Sequence, residues 1–492
     1  MSLPARKSSC CSLIPSFLAL ALASVVFAGP GDGFAAPDGG QTTRSAAASP
    51  QLQVGPNQQA RLDGELEIIH EDFKDGGGQD FYTLTLADGT RVPLRFIGKS
   101  PTRFLTGDRV RVSGQLSGGS FVLYSGGMNA KKAATTISTG LLPYTLGPQS
   151  TLVILVNFED DAVQPYTIAD AQNMFFGSVL DGNGIVYGTV NDFFIGNSYG
   201  QTSLVGDVAG WYTIPVSVTT CDVSQIAADA RVAATSAGVN LSSYARFVYA
   251  FPLDPSCGFG GASDVGGNPS ESWINSSIMD YRAVQLIDHE LGHAFGLEHS
   301  HLLDCGTTAT ICSAGTIVEY GDRIDTMGEP QTASPDFNAF QKERLGWLGY
   351  GASPSIETVQ TSGAYLINPY ELGGPGPNAL KVLKSFDRKT GVKVWYYLEN
   401  RQAIGFDAFL TNPIYYTQNE TAGVLFHIGT EADGNSSDLL DMTPATPTIS
   451  GWLDMSLAAG ETFQDSTAGV TFTVESVTPN GAVVDVQFSG GR

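Results

Sequence analysis

Four of the chain's six histidines, His289, His293, His299 and His301, fall within the thirteen residues HELGHAFGLEHSH. Their spacing constrains both fold and chemistry. On an α-helix, residues four apart share a face, so His289 and His293 can point at one metal ion. Glu290 stands one step around the same helix, near enough to reach a water on that ion without ligating it. Gly296 tolerates positive φ, which lets the helix end and the chain turn until His299 closes on the same ion. Three neutral imidazoles with one position left open form the donor set of a catalytic zinc rather than a structural one. Zinc lowers the pKa of a bound water to about 7 and polarises a peptide carbonyl, and Glu290 is placed to act as general base. Val284, Ile287, Leu291 and Ala294 define an apolar face nearly opposite the two histidines, with Asp280 as the expected N-cap.

A bare HExxH arises often by chance. The eleven-residue form HExxHxxGxxH followed by a Met-turn is far more specific and is the metzincin signature. Here it comprises His289, Glu290, His293, Gly296 and His299, then Met327 within YGDRIDTMG. Among metzincins the chain resembles the gametolysin family of secreted peptidases, in HELGHAFGLEHS, DTMGE (Asp325 to Glu329), FNAFQKERLGW (Phe337 to Trp347) and NDFFIGNSYGQTSLVGDVAGWY (Asn191 to Tyr212). The resemblance implies His289, His293 and His299 as zinc ligands, Glu290 as catalytic base and Met327 as the apolar floor of the site. A lone methionine is ordinary core filler; the place of Met327 in DTMG, after the third histidine, is what singles it out. One departure concerns Glu329, which stands where astacins and serralysins carry a tyrosine, so an oxyanion-stabilising tyrosine has to come from elsewhere. His301 lies a step beyond the ligand set and is expected behind it or exposed.

Met1 to Ala28 has Arg6 and Lys7, an apolar run from about Leu13 to Phe27 and a small-residue end, which reads as a secretory signal peptide. No later stretch is apolar enough to span a bilayer. The net charge of −23 disfavours nucleic acid and anionic membrane as partners. Four cysteines remain after the leader, an even count that argues for two disulfides in an exported chain. Cys305 with Cys312 is the local pair, and Cys221 with Cys257 follows by elimination; a cysteine-rich zinc site is the alternative.

The expected organisation is multidomain. An α/β metzincin-like (zincin) catalytic domain with a mixed sheet spans 151–350, flanked by a small N-terminal β-barrel or OB-like domain over 61–128 and a C-terminal β-sandwich over 351–492. Linkers are expected over 29–60 and 129–150, the second with a processing site. The small β domain is either a pro-region that covers the cleft, making the chain a zymogen, or an accessory module. It has no cysteine, which excludes thiol-based latency, and its single histidine, His70, reads as a surface or hydrogen-bonded residue. Thr167 with Asp170 predicts a capped helix towards Phe176, Asp222 to Ala237 a longer one, and Thr151 to Phe158 and Arg246 to Phe251 strands. Ser334 and Pro335 read as N-cap and N1 of a last helix that stops at Gly346. Asp181-Gly-Asn-Gly184 is either a Ca2+ loop or a plain turn.

Trp395 to Asp407 (WYYLENRQAIGFD) resembles a segment that follows the catalytic domain in gametolysin-like and immune-inhibitor-A-like peptidases. Its Glu399, Asn400 and Arg401 are expected to form a bonded cluster in the sandwich or at the domain contact. These features predict a secreted, monomeric zinc endopeptidase that cleaves extracellular proteins, with matrix or cell-wall proteins as the substrates the resemblance suggests. The alternatives are an immune-inhibitor-A-like peptidase, whose site does not use the third histidine, and a catalytically silent adhesion or matrix-binding protein of the same fold, in which Glu290 or a ligand would be missing.

Overall fold

TLVILVNF (Thr151 to Phe158) is apolar without alternation, as a strand covered on both faces requires. In the computed structural model it forms most of β6 (Gly147–Phe158). The structure describes residues 59–74, 76–131, 140–180, 186–330, 334–412, 419–446 and 454–490. The expected signal peptide, nearly all of the linker over 29–60 and the turn at 181–184 lie outside these residues.

Five strands precede β6: β1 (Gln59–Phe73), β2 (Gly77–Leu86), β3 (Arg91–Phe96), β4 (Arg109–Ser117) and β5 (Ser120–Ala130). β1 pairs with β2, β2 with β3, β3 with β5, β5 with β4, and β4 with β1 again, so the pairing closes on itself. Of the expected linker over 129–150, β5 takes Asn129 and Ala130, and the second half is packed: Leu142 is buried, and the Thr145 hydroxyl donates to the Leu345 carbonyl at 2.7 Å.

After β6 come α1 (Ile168–Phe176), the short pair β7 (Val179–Leu180) and β8 (Val186–Tyr187), α2 (Val190–Asn197), β9 (Thr202–Ile214), α3 (Val223–Ser236), β10 (Arg246–Phe251), β11 (Phe259–Asp264) and β12 (Ser270–Asn275). β12, β10, β6 and β9 run parallel in that order, and β11 is antiparallel to β12 at their edge. Alternation along β6 divides its side chains between two cores: Val153 and Leu155 pack with α1 and α2, while Leu152, Ile154 and Val156 pack with α3. Capping boxes start α1 (Thr167, Asp170) and α2 (Thr189, Asp192), and Asp222 caps α3. β11 does not end the sheet, because β1 pairs along its outer edge, giving ten continuous strands.

The motif helix α4 (Val284–Ala294) lies against β11 and β12, with Val284, Ile287, Leu291 and Ala294 in the same core as Val153. Asp280 does not cap it. Its carboxylate is held by the Arg282 guanidinium at 2.6–3.1 Å, and Ala283 stands at the N-cap without a side-chain bond. The helix ends as expected, with Gly296 at φ 98°.

β13 (Ser300–Asp304) and β14 (Thr316–Val318) follow, then α5 (Ala339–Arg344). α5 begins four residues later than the Ser334-Pro335 pattern predicts, with Asn338 as its N-cap. The reason is that four successive backbone N–H groups are claimed by side chains from elsewhere: Asp336 by Asp407, Phe337 by Asn197, Asn338 by Asp325 and Ala339 by Glu399. The helix starts at Ala339, the last of them. Gly346, at φ 73°, stops it.

The remaining strands are β15 (Ser355–Val359), β16 (Gly363–Ile367), β17 (Pro377–Phe386), β18 (Lys393–Glu399), β19 (Gly423–Thr430), β20 (Asp433–Leu440), β21 (Leu457–Ala458), β22 (Thr462–Asp465), β23 (Val470–Thr478) and β24 (Gly481–Phe488). They form two sheets, β14-β13-β20-β19-β18-β17-β15 and β16-β24-β23-β22, that share an apolar core including Leu380, Tyr396, Phe426, Phe472 and Val484. β13, which directly follows His299, is parallel to β20, so the motif segment is built into this sheet. Disulfides join Cys221 to Cys257 and Cys305 to Cys312. Among the described residues no helix is long and apolar enough to cross a membrane.

Candidate metal centre

α4 carries His289 and His293 into a buried space, and the turn at Gly296 returns His299 beside them; the three ring centroids lie 5.0–5.3 Å apart. Each ring donates its Nδ1–H to a group that can only accept: His289 to the Thr326 carbonyl at 2.7 Å, His293 to the Leu297 carbonyl at 2.9 Å, His299 to Glu319 Oε1 at 2.5 Å. That leaves the Nε2 lone pairs for a ligand. The Nε2 atoms of His289 and His293 are buried without a hydrogen-bond partner, and burial pushes the His293 ring down to about 3, keeping it neutral. Three imidazole nitrogens are donors whose chemistry suits zinc, and the ligand atoms of His293 and His299 lie within 4.8 Å of one another and of those of His70 and Asp72.

Glu290 is fully buried, and neither carboxylate oxygen has a hydrogen-bond partner. Burial first, and then the nearby charge of Asp72, hold its carboxyl well above the usual carboxylate range. β11 passes so close that a methyl at Gly261 would fall on the Glu290 carboxylate. Met327 lies beneath, where a methyl at Gly292 would strike its Sδ. Asp325 holds this turn, accepting from the Met327 N–H at 2.7 Å and the Asn338 N–H at 2.6 Å. His301 is buried behind His299, its Nε2 3.4 Å from the Glu319 carboxylate that fixes the His299 ring.

Glu329, which stands where astacins and serralysins carry a tyrosine, is exposed. Tyr320 stands in the site instead, its ring centroid 4.1 Å from that of His299, and its backbone is in the left-handed region at φ 54°. Its hydroxyl donates to Asp72 Oδ1 at 2.5 Å. Asp72 belongs to β1, as does His70, which is buried and stacked on His293 rather than placed at the surface. Its Nδ1 is hydrogen-bonded, to Asp80, but its Nε2 has no hydrogen-bond partner. A cavity of about 440 Å³ opens beside the centre, lined among others by His70, Asp80, Glu298, His299 and Glu319.

Sequence reasoning missed Tyr320, Glu319 and Asp72. The available signal was the spacing of His70 and Asp72, which on a strand sets both side chains on one face. Glu399 and Arg401 stand away from the centre. Arg401 bonds Glu399 at 2.8 Å, Asp407 at 2.7 Å and the Asp336 carbonyl at 3.0 Å, tying the approach to α5 to the C-terminal sheet.

The sequence profile of the gametolysin peptidase M11 family matches residues 151–413, more than half of the chain. The chain belongs to this family. In this gametolysin-family chain the match takes in the motif helix, the Met-turn, α5 and the strands to β18, and it leaves β1 to β5 outside. The chain is also similar to autolysin of Chlamydomonas reinhardtii, 26% identical over 277 residues, which is 49% of this chain and 40% of that protein. The shared stretch is thus less than half the length of that relative.

Proposed function

We propose that the chain is a secreted zinc endopeptidase that hydrolyses peptide bonds of extracellular proteins, acting as a monomer. What supports the reading above all is the convergence of three buried imidazoles, each oriented through its Nδ1–H, beside a buried Glu290 carboxylate that has no hydrogen-bond partner. Zinc held by His289, His293 and His299 would supply Lewis acidity to the scissile carbonyl and to a water. Glu290 takes the proton of the attacking water at its carboxylate and returns it to the leaving amide nitrogen. The Tyr320 hydroxyl supplies the donor for the developing oxyanion that Glu329 cannot. β11 orients an extended substrate through its backbone groups.

We read β1 to β5 as a small OB-like barrel and the strands after residue 351 as a β-sandwich. Export through the leader at 1–28 agrees with the two disulfides, which belong in an oxidising compartment. One similar protein bears the name autolysin, and a matrix or wall protein is the substrate class we assign here. A silent adhesion module has no support, since Glu290 and all three ligands are present, and nothing supports a Ca2+ site. The test is casein hydrolysis and zinc content, measured with and without prior limited proteolysis. Glu290→Gln should abolish hydrolysis and keep close to one zinc per chain, whereas His299→Ala should lose both. Near wild-type cleavage by Glu290→Gln would overturn the mechanism.

A further inference from the structure

The point on which the three motif imidazoles converge is filled by another side chain. Asp72 stands where they converge, with Oδ1 3.0 Å from His299 Nε2 and 3.5 Å from His289 Nε2, and Oδ2 3.5 Å from His293 Nε2. His70, on the same side of β1, adds a fourth imidazole, its Nε2 3.6 Å from Asp72 Oδ1 and its ring centroid 4.5 Å from that of His299. The His70 Nδ1 lies 2.7 Å from Asp80 Oδ1, so when the ring is neutral and Nδ1 carries the hydrogen, Nε2 holds the lone pair. This is the same polarity as in the three motif histidines. A carboxylate behind an imidazole is how proteins commonly orient a metal-ligating histidine. The His70 Nε2 and Asp72 Oδ2 atoms are otherwise buried without hydrogen-bond partners.

β1 also occupies the edge that a substrate needs. It pairs antiparallel with β11 from Ile69 opposite Asp264 to Phe73 opposite Phe259, and this register sets Asp72 opposite Gly261, the residue against which Glu290 rests. An extended peptide would require the same β11 backbone groups. The Tyr320 hydroxyl is engaged by Asp72 as well. β2 passes close on the outer side, since a methyl at Gly78 would fall on both His70 Nε2 and the Tyr320 hydroxyl.

We infer that β1 is a plug for the metal centre: Asp72 and His70 donate to the ion held by His289, His293 and His299, and the strand fills the substrate's place along β11. A catalytic zinc site keeps one position open, and Asp72 closes it. The intact chain is therefore latent, and it becomes competent when β1 leaves.

The inference rests on the zinc-peptidase reading, and one experiment separates the two. The intact chain, Asp72→Asn, Asp72→Ala and the double variant His70→Ala/Asp72→Ala are assayed for zinc affinity by competition with a chromogenic chelator, and for casein hydrolysis. Asp72→Asn keeps the size of the side chain, so a folding defect in the alanine variants would not hide the result. The double variant should bind zinc roughly 10- to 100-fold more weakly, while hydrolysis rises from background to a readily measured rate. A merely structural support would lower both readouts on removal, whereas a plug moves them in opposite directions. Unchanged affinity in every variant, or hydrolysis by the intact chain that is above background and equal to that of the variants, overturns the inference. Weaker binding with weaker hydrolysis also overturns it and makes the two residues resident ligands of the working enzyme. Weaker binding with no hydrolysis by any form, clipped chain included, upholds the two donors and overturns the peptidase reading instead.

Discussion

Gly261 carries a consequence out of proportion to its size, because the missing side chain is the space in which the Glu290 carboxylate sits. Gly261→Ala should displace that carboxylate by about 1 Å and lower kcat of the activated enzyme by on the order of 100-fold. Zinc content should stay unchanged, which elemental analysis alongside the kinetics would check. Tyr320→Phe removes one donor and nothing else. A loss of roughly 10²–10³ in kcat with KM nearly constant is expected; a change confined to KM would assign Tyr320 to substrate binding. The legibility of these residues follows from how the chain carries them. His289, Glu290, His293 and His299 lie within one helix and its turn, so spacing alone fixes their relation. Tyr320 reaches the site only through the path of a loop, and Asp72 only because β1 adds to a sheet edge more than 180 residues away in sequence. His70 looked ordinary because a lone histidine on a strand discloses neither its burial nor its neighbours.

At the level of elements, local signals were reliable wherever the local chain was left to itself. The capping boxes of α1 and α2 and the Asp222 cap of α3 formed as their residues suggest. They failed where distant side chains competed: Arg282 diverts Asp280 from α4, and four imported acceptors delay α5. The same competition ties the Met-turn segment to the C-terminal sheet through His427 on β19. This ring is buried, with Nε2 2.8 Å from Asp322 and Nδ1 3.3 Å from Glu399. Burial alone would lower its pKa, but the Glu399 and Asp322 carboxylates raise it to about 10. A folded-state pKa above the unfolded value of about 6.5 gives stability that is complete below that value and is lost as pH rises through about 10. The urea midpoint should therefore fall between pH 7 and 10, and His427→Gln should flatten that fall while lowering the midpoint at pH 7. Equal slopes in the two proteins would remove His427 as the cause.

Across the whole molecule, β1 belongs at once to the closed ring of β1 to β5 and to the sheet that carries the metal centre. While it is in place, the amides of β11 are covered along both edges of the strand. Hydrogen exchange over residues 259–264 should be slow in the intact chain and should rise selectively once the ring has departed; equal protection in both states would mean that β1 stays after activation. The ring shares an apolar cluster with the catalytic body, in which Leu66, Ile68 and Leu105 pack with Val265 and Leu297. Severing the covalent connection between ring and body therefore leaves the two held together by contacts that have not changed. A clipped preparation obeys mass action: concentrated, it stays quiet; diluted, it sheds its own stopper. Specific activity of clipped protein that falls as total concentration rises would be the sign, and such an enzyme would idle in crowded storage and begin work only on release into a large volume.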